Sequence, residues 1–381
     1  MVKLLFADMY FNVSLCKLPI QFKKLGAENF GLGYADRLLL KSDSFVQKYA
    51  FPKRTKNILY KDVVSTVSTA CRQSNADILI TNDETLIMAL LRLRETLRTS
   101  DTEKNKQLLK MLEASLAPDS SHYQRHISLQ LASEAGFPTP EQSFAQTFEE
   151  LVHKAQAFPI PFYIKLSLAA GGSGIFLVEK NTSLNQVIES IKKSGYHLSA
   201  KRTAILQQQV KGQELTISLA AWKGQLLGYT VVKPLQTQFK NGPSSVIENK
   251  YRPHWETSLK ALVRKLNLSG FGGLDVFETN SETLPTVIEV NLRLTHTTPS
   301  SRILGNDLVA LLYQAMQEKM KSDFPVQHPN VKKSIAIFPD EIMRDKNSPY
   351  LKSLPLDIDW SDFHINQYLQ NLINKRDSSK K

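Results

Sequence analysis

The run Val287-Ile288-Glu289-Val290-Asn291-Leu292-Arg293 constrains this chain more than any other. Side chains alternate across a strand, so Glu289, Asn291 and Arg293 project from one face, and Val287, Ile288, Val290 and Leu292 remain for packing. Asp275 lies in a second apolar run, Gly272-Gly273-Leu274-Asp275-Val276-Phe277, and the polar segment Glu278-Thr279-Asn280-Ser281-Glu282 between the two predicts a hairpin. Pairing the runs brings two carboxylates and an amide oxygen together. Such hard oxygen ligands suit magnesium, which keeps waters and takes its remaining ligands from substrate phosphates. The same pattern also describes an ordinary half-buried strand with a solvated polar face.

A chain of 381 residues, 42% of them hydrophobic, has length for two or three domains with substantial cores. No apolar run approaches the roughly 20 residues that cross a bilayer. Asp8 interrupts the N-terminal apolar stretch too early for a secretory signal, so a cytoplasmic location is expected. Two cysteines, Cys16 and Cys71, cannot build a thiolate zinc cluster and read as buried or idle thiols. The excess of 48 Lys and Arg over 36 Asp and Glu, a net +12, favours anionic ligands. The basic residues are scattered without a nucleic-acid motif, and the basic tail from Asn374 to Lys381 reads as frayed and solvated.

Residues 1–115 read as an α/β unit with a parallel sheet. Lys3 to Ala7, Ile58 to Tyr60 and Ala76 to Thr81 are its predicted strands, Asp62 to Gln73 a helix, and Glu84 to Leu97 a second helix capped at Asn82-Asp83. A polar connection, Ala117 to Ser121, leads to a predicted helix over His122 to Ala135, stopped by Gly136-Phe137-Pro138. On it His122 and His126 share a face, with no third metal ligand nearby. Phe162 to Leu166 predicts a strand with Lys165 in an apolar context. It is followed by Gly171-Gly172-Ser173-Gly174 and a second strand, Ile175 to Val178. Glycine there lets backbone N–H groups approach phosphate oxygens, although ordinary hairpins use the same residues. No P-loop pattern is present. Ala204 to Leu219 predicts two strands about Lys211-Gly212, with Gln207, Gln208, Gln209, Val210 and Glu214 as polar candidates. Predicted strands also cover Ala220 to Trp222, Leu226 to Val232 and Ser334 to Phe338, and predicted helices cover Trp255 to Leu266 and Asp307 to Met320.

Taken together, the Asp275, Glu289, Asn291 set, Arg293, the glycine-rich hairpin and the strand about Gln207 to Glu214 resemble the ATP-grasp superfamily over about residues 120–318. That resemblance implies an α/β (α+β) chain. An N-terminal parallel-sheet domain over 1–115 would precede an ATP-grasp domain over 116–325, with a small lid subdomain at 116–203 and a large one at 204–325. A C-terminal α/β extension with its basic tail would occupy 326–381. It further implies ATP and magnesium, or manganese in its place, as cofactors. The metal ligands would be Asp275, Glu289 and Asn291. Phosphates would meet Lys165, Gly171, Gly172, Ser173 and Gly174, with Arg125 standing where the family commonly has lysine. Adenine would meet Gln207, Gln208, Gln209 and Val210, the ribose Glu214, and the transferred phosphoryl or oxyanion Arg293. Gln207 stands where glutamate is frequent, and Leu166 where proline is usual.

The implied activity is an ATP-dependent carboxylate-amine ligase that forms an acyl phosphate and releases ADP and phosphate. Alternatives are a biotin-carboxylase-like enzyme and a non-catalytic ATP-binding or nucleic-acid-associated protein. The expected partners are a small-molecule carboxylate and an amine. A homodimer is compatible with the sequence, and neither a membrane nor a specific nucleic acid is expected.

Overall fold

One parallel and two antiparallel sheets organise the chain in the computed structural model, which describes residues 1–53, 58–99, 103–167, 174–199, 202–239, 242–317, 326 and 331–378. The first sheet is built from β1 (Lys3–Asp8), β2 (Glu28–Gly33), β3 (Gln47–Ala50) and β4 (Ile78–Thr81), all parallel, in the order β3-β2-β1-β4. Its helices are α1 (Val13–Cys16), α2 (Leu18–Lys24), α3 (Tyr60–Ser74), α4 (Glu84–Arg98) and α5 (Glu103–Ser115). The predicted strand over Ile58 to Tyr60 is not one: Tyr60 opens α3, and the second strand is β2. Its glycines hide it from a hydrophobic pattern, and packing requires at least one of them. A Cβ on Gly31 would lie 2.7 Å from the Phe45 ring.

The strand order reverses beside β1, so the carboxyl ends of β1 and β4 flank a crevice, the usual ligand position of an open parallel sheet. Asp83 caps α4 there, its Oδ1 accepting from the Leu86 N–H at 3.0 Å.

The next sheet contains β5 (Gln142–Ala145), β6 (Phe162–Leu166), β7 (Ile175–Val178) and β8 (Ala204–Gln208), in the antiparallel order β5-β8-β6-β7. Before it come a 3-10 turn, Ser120–Tyr123, and α6 (Arg125–Glu134). The predicted single helix is therefore broken, and His122 and His126 do not share a helical face. Leu151 and Ala155 of α7 (Phe148–Ala157) and Ile188 and Ile191 of α8 (Leu184–Lys193) pack on Phe162, Ile164 and Leu206 of this sheet.

The large sheet runs β13-β12-β9-β10-β11-β14: β9 is Gln213–Trp222, β10 Gln225–Thr237, β11 Ser244–Lys250, β12 Gly270–Glu278, β13 Thr286–Asn291 and β14 Ser334–Ala336. One core joins it to α9 (Glu256–Leu266) and α6 through Trp255, Leu259, Leu262 and Leu129. A second core joins α10 (Leu308–Met316) to the N-terminal sheet, because Leu308 and Leu312 pack in one cluster with Leu4, Phe6 and Phe22. The chain passes from the small sheet to the large one at residues 209–212. Gly212 is required at this passage: its φ is +145°, and a Cβ would lie 2.7 Å from the Glu278 carbonyl oxygen.

Past β14 the chain forms α11 (Asp340–Arg344), α12 (Tyr350–Ser353) and α13 (Phe363–Ser378). This segment is tied back by Asp357, which is buried and accepts from Lys17 Nζ at 2.7 Å, Ser300 Oγ at 2.8 Å and the Phe338 N–H at 2.7 Å. Residues 374–378 of the basic tail, expected to fray, continue α13, and residues 379–381 lie outside the described residues. Cys16 and Cys71 are free and buried. Among the described residues, no helix is long and apolar enough to cross a membrane.

Candidate functional site

β12 and β13 pair antiparallel with Asp275 opposite Glu289 and Gly273 opposite Asn291, so the hairpin read from the sequence is present. The Asn291 amide donates to Asp275 Oδ2 at 3.4 Å, and Thr216 Oγ1, from β9, donates to Oδ1 at 3.2 Å. Burial, followed by the charge of Glu289, pushes Asp275 up to about 6. Glu289 in turn accepts from Arg125 Nη2 at 3.0 Å, a half-buried ion pair. The residue expected at phosphate and one expected at metal are thus paired with each other here. The hairpin's position depends on Gly273, where a Cβ would fall 2.1 Å from Thr295 Cγ2 and 2.5 Å from the Ile217 carbonyl oxygen. Thr295 belongs to a buried hydroxyl cluster, bonded to Ser218 at 2.5 Å and to Thr298 at 2.9 Å, which anchors the chain just past Arg293.

Lys165 faces this hairpin from β6. It is buried, and its Nζ donates to Gln207 Oε1 at 2.5 Å, while Gln207 Nε2 donates to the Ile288 carbonyl at 3.1 Å. The Gln207 amide therefore bridges the small sheet to β13, and its neutrality leaves the lysine charge uncompensated. Burial brings Lys165 down from an ordinary 10.5 to about 8, against the pull of Glu289 and Asp275 and with help from Arg125. A bound triphosphate favours the charged lysine, so ATP binding above about pH 8 must take up a proton, and affinity is expected to fall as pH rises through that value. Titrating ATP binding from about pH 7 to about pH 9.5 checks this. A Lys165→Met variant should bind more weakly and lack the decline, and a decline of the same slope in both proteins would assign it to another group.

Arg293 reaches away from the hairpin to the N-terminal sheet. Its Nε and Nη2 donate to Glu84 Oε1 at 3.2 and 2.8 Å, and its Nη1 donates to Asn82 Oδ1 at 3.0 Å. Sequence reasoning did not single out Asn82 or Glu84 as site residues. The signal available was the cap sequence Asn82-Asp83-Glu84 directly after a parallel strand. Arg293 also lowers Asp275, and the charge of Glu214 raises it, so Asp275, Glu289, Arg293, Glu214, Lys165 and Arg125 act on one another around a single crevice.

The adenine-side expectation needs correction in one respect. β8 is not an edge strand: it lies between β5 and β6, and the Gln208 and Gln209 N–H groups are taken by the Glu141 and Pro161 carbonyls at 2.9 and 3.1 Å. Val210 is the first residue past that ladder. Glu214 is exposed at the start of β9, two residues along the face that carries Thr216. Gly171, Gly172 and Ser173 lie outside the described residues, and the Gly174 carbonyl accepts from the Leu166 N–H at 2.9 Å.

Beside the hairpin a cavity of about 660 Å³ opens between α4, the Ser120 to His126 segment, the small sheet and β13, with Arg125, Glu289, Asn291 and Arg293 in its wall. That size lies within the range of small-molecule sites.

Residues 126–297 match the family model of the ATP-grasp domain. The chain contains an ATP-grasp domain. The match covers the small sheet, the β12–β13 hairpin and the threonine loop after it. The arginine-specific large chain of carbamoyl phosphate synthase from Bacillus subtilis is 24% identical over 59% of this chain and 22% of its own length. The chain thus spans about a fifth of that relative. Among solved structures, the biotin carboxylase domain of 2-oxoglutarate carboxylase from Hydrogenobacter thermophilus, in complex with MgADP, ADP and bicarbonate, superposes with a TM-score of 0.60. It is 15% identical and covers 84% of this chain and 70% of its own. The L-amino acid ligase from Bacillus licheniformis gives a TM-score of 0.58 at 14% identity, covering 89% of this chain and 80% of its own. The ATP-grasp fold therefore extends over both antiparallel sheets and the parallel sheet before them.

Proposed function

We propose that the chain is an ATP-dependent ligase that activates a carboxylate as an acyl phosphate, joins it to an amine and releases ADP and phosphate. The observation that supports this reading is the convergence of Asp275, Glu289, Lys165, Arg125 and Arg293 on one crevice beside a cavity of substrate size. Asp275, Glu289 and the Asn291 amide oxygen make an all-oxygen donor set with no histidine or cysteine. Two carboxylates crowded enough to raise Asp275 gain from a cation between them. The set fits magnesium, and manganese by the same donors. When bound, the ion would neutralise charge on the phosphate oxygens.

Lys165 and Arg125 would hold the remaining phosphate charge, Glu214 the ribose hydroxyls, and Val210 with its neighbours the base. A carboxylate oxygen then bonds to the γ-phosphorus as the bond from that phosphorus to ADP breaks. Next, the amine nitrogen bonds to the acyl carbon, the carbon–oxygen bond to phosphate breaks, and the nitrogen's proton passes to solvent. Arg293 would steady the oxyanion formed on that attack, exchanging part of its bonding to Glu84 for substrate.

Hydroxylamine tests the reading. With ATP, magnesium and the correct carboxylate, it is expected to trap a hydroxamate, because any strong nucleophile attacks an acyl phosphate. Release of ADP without hydroxamate would point to a simple ATPase or another phosphoryl acceptor.

A further inference from the structure

The long axis of the cavity follows α4. Glu84, Ile87, Met88, Leu91, Arg92 and Glu95 all line it, at spacings of three and four that place them on one helical face. At 1.5 Å per residue that face runs about 16 Å, from the Arg293 end to Glu95. Its middle is apolar. Met88 is 48% exposed, and across the cavity Phe144 of β5 is 40% exposed, although each is a large side chain that gains from burial. The Phe144 ring is stacked on His126 with centroids 4.8 Å apart, which holds it as a fixed surface, while the Met88 thioether adapts to what it meets. At the reacting end, Arg293 and Glu84 sit 2.8 Å apart, a cation beside an anion. An α-amino acid carries the complementary pair, carboxylate and ammonium on one carbon.

We propose that the carboxylate substrate is an α-amino acid with an apolar side chain. Its zwitterionic end is received by Arg293 and Glu84, and its side chain lodges between Met88 and Phe144, which set the specificity. This rests on the ligase reading and narrows it. A small polar acid would leave the apolar middle of α4 in water, and a purely aliphatic acid would leave Glu84 without a cation once Arg293 turned to the carboxylate. Of the two contacts, Phe144 supplies a rigid face and Met88 tolerance, so leucine, methionine and phenylalanine are all accepted.

Calorimetric binding to the full chain, with magnesium and a non-hydrolysable ATP analogue present, tests the proposal apart from turnover. Leucine and phenylalanine are expected to bind at least about 10-fold more tightly than glycine, since each methylene in an apolar pocket is worth about 10- to 200-fold. Phe144→Ala and Met88→Ala should each erode that preference about 10-fold. Glu84→Gln should weaken leucine more than 4-methylpentanoate, which lacks the ammonium. Affinity for the nucleotide analogue and melting temperature, read in parallel, report whether each variant is folded. Equal affinity for glycine and leucine, no binding of any apolar amino acid, or folded Phe144→Ala and Met88→Ala variants that keep the wild-type preference would each overturn the proposal. If leucine binds as stated but no amine gives ADP release, the ligase reading fails and the binding inference stands. If ADP is released only with polar acids, the inference fails and the ligase reading stands.

Discussion

Glu289→Gln is expected to lower magnesium-dependent ADP release by about 10³-fold, because a divalent ion supplies several kcal/mol of charge stabilisation and each 1.36 kcal/mol is a factor of ten. Asn291→Ala should act in the same direction. The fold should survive both changes. Glutamine can still accept from Arg125 across the 3.0 Å contact, and Glu289 and Asn291 are half-buried on a polar strand face rather than in a core. Removing the Glu289 charge also removes a cause of the raised Asp275, whose ionisation should therefore move down in the variant. In the wild type the sign for metal is opposite to that for a free carboxylate. Magnesium requires ionised Asp275, so metal affinity should rise with pH through about 6 and binding below that value should release a proton. Wild-type turnover in both variants would remove the hairpin from the proposed reaction.

Arg293→Lys should separate catalysis from binding. Lysine keeps the charge but not the planar fork that now donates from Nε and Nη2 to Glu84 and from Nη1 to Asn82. If Arg293 steadies the acyl phosphate or the oxyanion formed from it, the rate should fall on the order of 10²- to 10³-fold, with ATP affinity close to wild type. Stability should change little, because a partly exposed ion pair of this kind is worth about 0–1 kcal/mol. A melting temperature that collapsed along with activity would instead make Arg293 a tie between the parallel sheet and the hairpin.

The metal hairpin was legible in the sequence because both of its determinants are local. Alternation puts Glu289 and Asn291 on one face, and a short polar turn forces Asp275 to return opposite them. Strand β2 was not legible. Gly31 and Gly33 erase the hydrophobic pattern, and the reason for Gly31 is a ring, Phe45, that only the folded chain brings near. β8 was read as an edge that could offer its backbone to adenine. The strand covering that edge, β5, lies 59 residues or more earlier in the chain, at Gln142–Ala145, and carries little pattern of its own.

What the sequence determined by itself was the donor chemistry. It set two carboxylates, an amide and an arginine on one hairpin, a lysine in an apolar strand, and a glycine turn between two sheets, all fixed by side-chain type and short-range periodicity. What only the tertiary structure decided was how those charges are partnered. Arg125 closes on Glu289, Arg293 on Glu84, and Lys165 on the neutral Gln207. These pairs join residues 164, 209 and 42 positions apart. Contacts of that span depend on how three sheets pack, and Coulomb energy and desolvation act through distance in space, so no spacing along the chain records them.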